Sequence, residues 1–152
     1  MQLSGVVLWL HVLGGLGWVG ASAVSAFAIA ALGGPVERRD FVRRAAPTLN
    51  RICLGCAAVV PLTGIANLAF AAAHRNGPLP PEFLHIVAVK LAIFALMALM
   101  LWRAITCVAT IGGEPQPAAD SSDPAGHIVR LYGLMAAAGG CALLLGLWLA
   151  GV

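Results

Sequence analysis

The sequence predicts an all-α protein, an integral membrane four-helix up-down bundle. Two observations carry that reading. The chain is 152 residues long, 61% hydrophobic and only 10% charged, with a mean hydropathy of +0.93. A soluble domain of this size has too little interior for that much apolar surface, so the solvent is lipid. Four segments, roughly 3–31, 52–73, 83–102 and 131–152, carry almost no charge. Each reaches the ~20 residues needed to cross a hydrocarbon core, and their Ala, Leu and Gly content favours helices over alternating barrel strands.

The first helix is expected over 3–31. Residues 1–36 contain no Asp, Glu, Lys or Arg. Without a basic leading region, and with an apolar run longer than the ~7–15 residues of a signal-peptide core, it reads as a mature helix. Gly33-Gly34-Pro35 is its stop signal. Asp40 can then cap an interfacial helix whose Arg43 and Arg44 lie near anionic headgroups.

Pro47 starts or kinks the continuation into the second span, expected over 48–73, with a bend at Pro61. Residues 74–81 form a short turn rich in proline. Pro81 and Glu82 suit the first turn of the third helix, expected over 82–107. Residues 112–126, rich in Pro, Ala, Ser and Asp, read as a mobile loop without chemistry of its own, and the fourth helix is expected over 127–152. No repeat or separate soluble domain stands out, so 1–152 is one transmembrane domain.

Arginine placement sets the expected orientation. Arg38, Arg39, Arg43, Arg44 and Arg51 surround the first connection, Arg103 and Arg130 flank the third, and the second has Arg75 alone. The positive-inside rule puts connections one and three in the cytoplasm and both termini outside. Arginines at helix ends, without interleaved aromatics, exclude a nucleic-acid surface. Cys53, Cys56, Cys107 and Cys141 fall in or next to helices. Cys53-Leu-Gly-Cys56 has redox or metal spacing, but with no second pair and no βαβ context these residues read as small packing residues.

Function is sought where polar groups share a depth. At ~1.5 Å per residue, His11 lies about 12 Å below the outer end of helix one, Lys90 about 12 Å below that of helix three, and Asn67 about 9 Å below that of helix two. These three are expected to form one layer, with Thr63 a turn deeper and His85 close to the surface. A histidine at hydrocarbon depth marks a functional site by default. The bland alternatives are a packing histidine, a snorkelling lysine and a helix-bonding Asn67 and Thr63.

Beside His11, Gly14, Gly15, Gly17 and Gly20 allow close approach of a backbone or a flat cofactor. An imidazole facing such a groove in lipid suits axial ligation of haem, with Lys90 paired to a propionate, or itself ligating or donating a proton, and His85 as second ligand or another propionate partner. Copper is the rival occupant, with His11 and His85 again the metal candidates. The methionines Met97 and Met100 lie away from His11, which leaves that signal thin.

The stretches Trp9 to Gly20, Pro61 to Asn67 and His85 to Lys90 resemble the four-helix core of the copper-resistance protein D (CopD) family and, more distantly, HemJ-type protoporphyrinogen oxidases. The resemblance covers about the first two-thirds of the chain. It implies a bacterial inner-membrane location. For the HemJ branch it implies b-type haem on the histidine of helix one, which precedes a tryptophan (here Trp18), and a lysine in helix three. His11 and Lys90 are the positions it carries over.

The expected function is a b-type haem-binding membrane protein, in electron transfer or as an accessory subunit of a membrane redox system. The alternatives are a porphyrinogen oxidase, with Lys90 and His11 handling protons and electrons, and a copper-handling protein without haem. His11, His85, Trp18, Asn67 and Thr63 are the expected cofactor contacts. The lipid bilayer is the expected partner, with a homodimer or larger membrane redox complex beside it.

Overall fold

The computed structural model describes residues 3–75, 78–113 and 124–150. Four helices make up the fold: α1 (Leu3–Ala31), α2 (Pro35–Ala73), α3 (Pro81–Gly113) and α4 (Pro124–Ala150). All four are long and apolar enough to span a membrane, and no strand occurs among the described residues.

The expected break at Gly33-Gly34-Pro35 is present. Gly34 is extended, Pro35 opens α2, and the Arg38 Nε–H donates to the Leu32 carbonyl oxygen at 2.9 Å, closing the end of α1. Beyond it the sequence reading needs correction. No separate interfacial helix precedes the second span, because α2 runs unbroken for 39 residues with Pro47 and Pro61 inside it. Each proline removes one ladder hydrogen bond, a loss the long flanking stretches of helix tolerate. The third helix continues to Gly113, past the expected 107, and the fourth already starts at Pro124. Of the connection expected over 112–126, residues 114–123 lie outside the described residues.

Helix α1 packs against α2 and α4, and α3 packs against the same two, so α1 and α3 stand on opposite corners. Contacts fix the register. Gly14 meets Val59 and Val60, and Gly17 meets Cys56; Gly15 meets Leu143, and Gly139 meets Val19; Gly139 also meets Met97, and Gly146 meets Lys90. Each pair steps in opposite directions along its two helices, so sequence neighbours are antiparallel. The start of α1 and the end of α4 therefore lie at one end of the bundle, and the arginines Arg38, Arg39, Arg43, Arg44, Arg103 and Arg130 lie towards the other.

The two ends are packed differently. Towards the arginine end the interior is closed by Ile29, Val42, Ala46, Leu101, Ala104, Ile128, Tyr132 and Met135, all buried. Trp18, Met97 and Gly139 form the last complete layer. Between that layer and the terminal end, Gly14 is the sole buried residue among those described. This division follows from the solvent. A 39-residue helix is about 58 Å long, nearly twice a ~30 Å hydrocarbon core, so the arginine end of α2 projects into water. There the hydrophobic effect packs the helices, whereas within lipid it does not act between them.

Candidate functional site

The open terminal half holds the polar residues expected from the sequence. His11 is half-buried on the inner face of α1, where Gly14 and Trp18 follow it at helical spacing. Its imidazole lies over Gly64 of α2, with Cε1 3.2 Å from the position a Cβ would occupy. The missing side chain lets the ring reach the α2 backbone. His11 Nδ1 lies 2.9 Å from the Val60 carbonyl oxygen and 3.0 Å from Thr63 Oγ1. A carbonyl only accepts, so Nδ1 carries the proton and donates. The Thr63 hydroxyl spends its own proton on the Val59 carbonyl oxygen at 2.7 Å, which leaves its lone pairs for the imidazole. The tautomer follows: Nε2 is unprotonated and has no hydrogen-bond partner among the described residues.

Lys90 comes from the opposite corner. Its ammonium lies against α4, with Nζ 2.9 Å from the Cβ position of Gly146, and it is close enough to His11 to act on it electrostatically. The register gives their relative depth. Gly15 faces Leu143, so His11, four residues back, stands level with Leu147, one residue from Lys90's partner Gly146. The two side chains therefore lie within about 2 Å of one level. No side-chain carboxylate among the described residues shares it. The nearest acid along α3 is Glu82, eight residues away, while Glu37 and Asp40 lie at the arginine end. Trp18 and Phe94, a turn or two nearer the arginine end, meet edge to face with ring centroids 5.6 Å apart and planes at 86°. That pair bridges α1 and α3 and floors the layer.

Two details differ from the sequence expectation. Thr63, not Asn67, is the α2 member of the His11 layer, because it bonds the imidazole directly. Asn67 is half-buried one turn nearer the terminal end. The estimate from helix ends misplaced them because the terminal ends of α1 and α2 are staggered. His85 is exposed, and five residues place it about 140° around α3 from Lys90. The structure does not bring it to His11.

Further polar residues meet outside the set expected from the sequence. Tyr132, the one tyrosine of the chain, donates to Asn50 Oδ1 at 2.7 Å, both buried. Ser22 Oγ and Cys53 Sγ lie 4.0 Å apart beside them. A lone tyrosine in an apolar span needs a partner for its hydroxyl, and that was the available signal. The Trp18 indole N–H is buried without an acceptor among the described residues. The four cysteines are free thiols.

The residues at this site suit a haem. Ligating histidines typically donate the second ring N–H to a carbonyl, fixing the tautomer and aiming the other nitrogen, and His11 is arranged in this way. Lys90 supplies a cation for a carboxylate, and the missing side chains of Gly64 and Gly146 make room for the His11 imidazole and the Lys90 ammonium. Among the described residues, no three His, Cys, Asp or Glu side chains group closely enough to hold a metal ion. No protein-family model, curated protein or solved structure matches this chain.

Proposed function

We propose that the terminal half of the bundle is a b-type haem site, and that the protein works in electron transfer or as an accessory subunit of a redox system in the bacterial inner membrane. The observation that supports this most directly is His11, with Nδ1–H committed to Val60 and Thr63 and Nε2 left free on the inner face. A porphyrin brings four nitrogens of its own, so one protein imidazole suffices to hold it. A bare copper ion needs several protein ligands, and His11 stands without another histidine beside it.

In this reading His11 Nε2 would hold the iron, with the Val60 carbonyl and Thr63 raising its basicity through Nδ1–H. Lys90 would pair with a propionate carboxylate, an anion that no described residue supplies at its level. Trp18 and Phe94 close the floor and keep water out. When bound, such a group would supply one-electron chemistry, tuned by His11 and the polarity of the residues around it. By the positive-inside rule both termini face the outer side, which places the site in the outer half of the membrane.

A visible spectrum of the protein purified in detergent tests the reading. A Soret band in the wild type that is lost in His11→Ala is the expected result. Absence of the band from protein expressed with ample haem, or its persistence in His11→Ala, overturns it.

A further inference from the structure

We propose that Arg51, Arg103 and Arg130 form a collar that binds the phosphodiesters of anionic phospholipids. The three side chains are exposed and come from three different helices, α2, α3 and α4. Their levels coincide. Arg51 neighbours Asn50, which pairs with Tyr132, and Tyr132 lies two residues from Arg130. Met97 faces Gly139, so Tyr132, seven residues back along α4, stands opposite Ala104, the neighbour of Arg103. The three positions therefore fall within about 5 Å of one another along the bundle axis.

What surrounds the collar selects a lipid as its partner. On its terminal side, segments 52–73, 83–102 and 131–150 carry Lys90 as their only Asp, Glu, Lys or Arg. The arginines are thus the first charges met on leaving the hydrocarbon. Trp102, 65% exposed beside Arg103, is the amphipathic ring expected at headgroup level. On the other side the helices continue around buried Val42, Ala46, Val108 and Ile128, as water-facing helices must.

No carboxylate on the described helices competes for the collar: Asp40 is eleven residues from Arg51, and Glu82 is at the far end of α3. A guanidinium matches phosphate oxygens in a two-pronged geometry that an ammonium lacks. The collar also sets depth. Arg103 is thirteen residues from Lys90, about 20 Å along α3. Phosphates held at the collar keep the His11–Lys90 layer about 10 Å from the opposite surface of a ~30 Å core.

Lipid retained by the full chain tests this, with nanodiscs of phosphatidylcholine plus phosphatidylglycerol as the source and mass spectrometry of the bound fraction as the readout. The wild type should be enriched in phosphatidylglycerol over the bulk. Arg51→Gln, Arg103→Gln and Arg130→Gln should each lower the enrichment roughly fivefold, the factor expected per arginine at an anionic surface. Arg43→Gln with Arg44→Gln, two turns beyond the collar, should leave most of it. High salt should strip it from the unmodified protein, an arm that needs no variant to fold. Equal retention of both lipids by the wild type overturns the proposal. An Arg43/Arg44 loss as large as the collar's does so too, as does inorganic phosphate stabilising the protein in pure phosphatidylcholine as well as phosphatidylglycerol does. None of these readouts depends on haem.

Discussion

His11 and Gly64 are fitted to each other: the imidazole Cε1 stands 3.2 Å from where a Cβ on residue 64 would be, and this approach lets Nδ1–H reach the Val60 carbonyl oxygen at 2.9 Å. The glycine sits on the face of α2 that the histidine must cross. A side chain there would lift the ring by a few tenths of an ångström and loosen the bond that fixes its tautomer.

Gly64→Ala therefore separates binding from stability. Alanine gains about 0.5–1 kcal/mol in a helix over glycine, so thermal stability without haem should hold or rise. Haem affinity should fall about tenfold to a hundredfold, the usual cost of disturbing a ligand's outer hydrogen bond. Haem titration beside thermal unfolding checks both signs. A fall in stability with affinity unchanged would show that the glycine serves packing alone.

Lys90 should behave in the opposite sense. An ammonium in the hydrocarbon is costly, Lys90 has no counter-ion among the described residues, and Lys90→Gln removes the charge while leaving a polar side chain one atom shorter against Gly146. The haem-free protein should gain about 1–3 kcal/mol, with snorkelling setting the low end. The loaded protein should lose affinity for haem but retain affinity for its dimethyl ester, whose carboxylates are blocked. Equal losses with both porphyrins would remove the propionate from the account.

These residues show which parts of the structure the sequence could carry. Span number and the break at Gly34 come from local composition, which the chain displays directly. The common depth of His11 and Lys90 was legible because α1 and α3 run parallel and each was counted from its own end. Thr63 and Asn67 were exchanged because depth on α2 depends on how far each helix projects, a property of packing that no single segment encodes. The unbroken α2 was hidden behind Pro47, which reads locally as a start or kink. Gly64 and Gly146 could not be singled out among eighteen glycines, because what matters is the side chain facing each one.

Gly139 and Gly140 test packing in the same way. A Cβ at Gly139 collides with Val19, whose branched side chain is stiff, and meets the flexible Met97; a Cβ at Gly140 has nothing within 4 Å. Gly139→Ala should cost about 1–3 kcal/mol through overpacking, less the helical gain, for a net loss. Gly140→Ala should hold or gain up to about 1 kcal/mol. Thermal unfolding in one detergent compares them. Equal effects would mean that α1 and α4 do not meet at Gly139.

The Tyr132–Asn50 bond ties α4 to α2 across the bundle interior, 2.7 Å between two buried groups. Tyr132→Phe leaves the Asn50 amide buried without its donor, which should cost about 1–3 kcal/mol. Asn50→Leu should cost a similar amount by stranding the phenol. Removing both partners leaves no orphan, so the double variant should be less destabilised than the two single losses combined, by at least about 0.5 kcal/mol. Strict additivity in thermal unfolding would mean that the hydroxyl and the amide find other partners, and that helices α2 and α4 are joined by apolar contact alone.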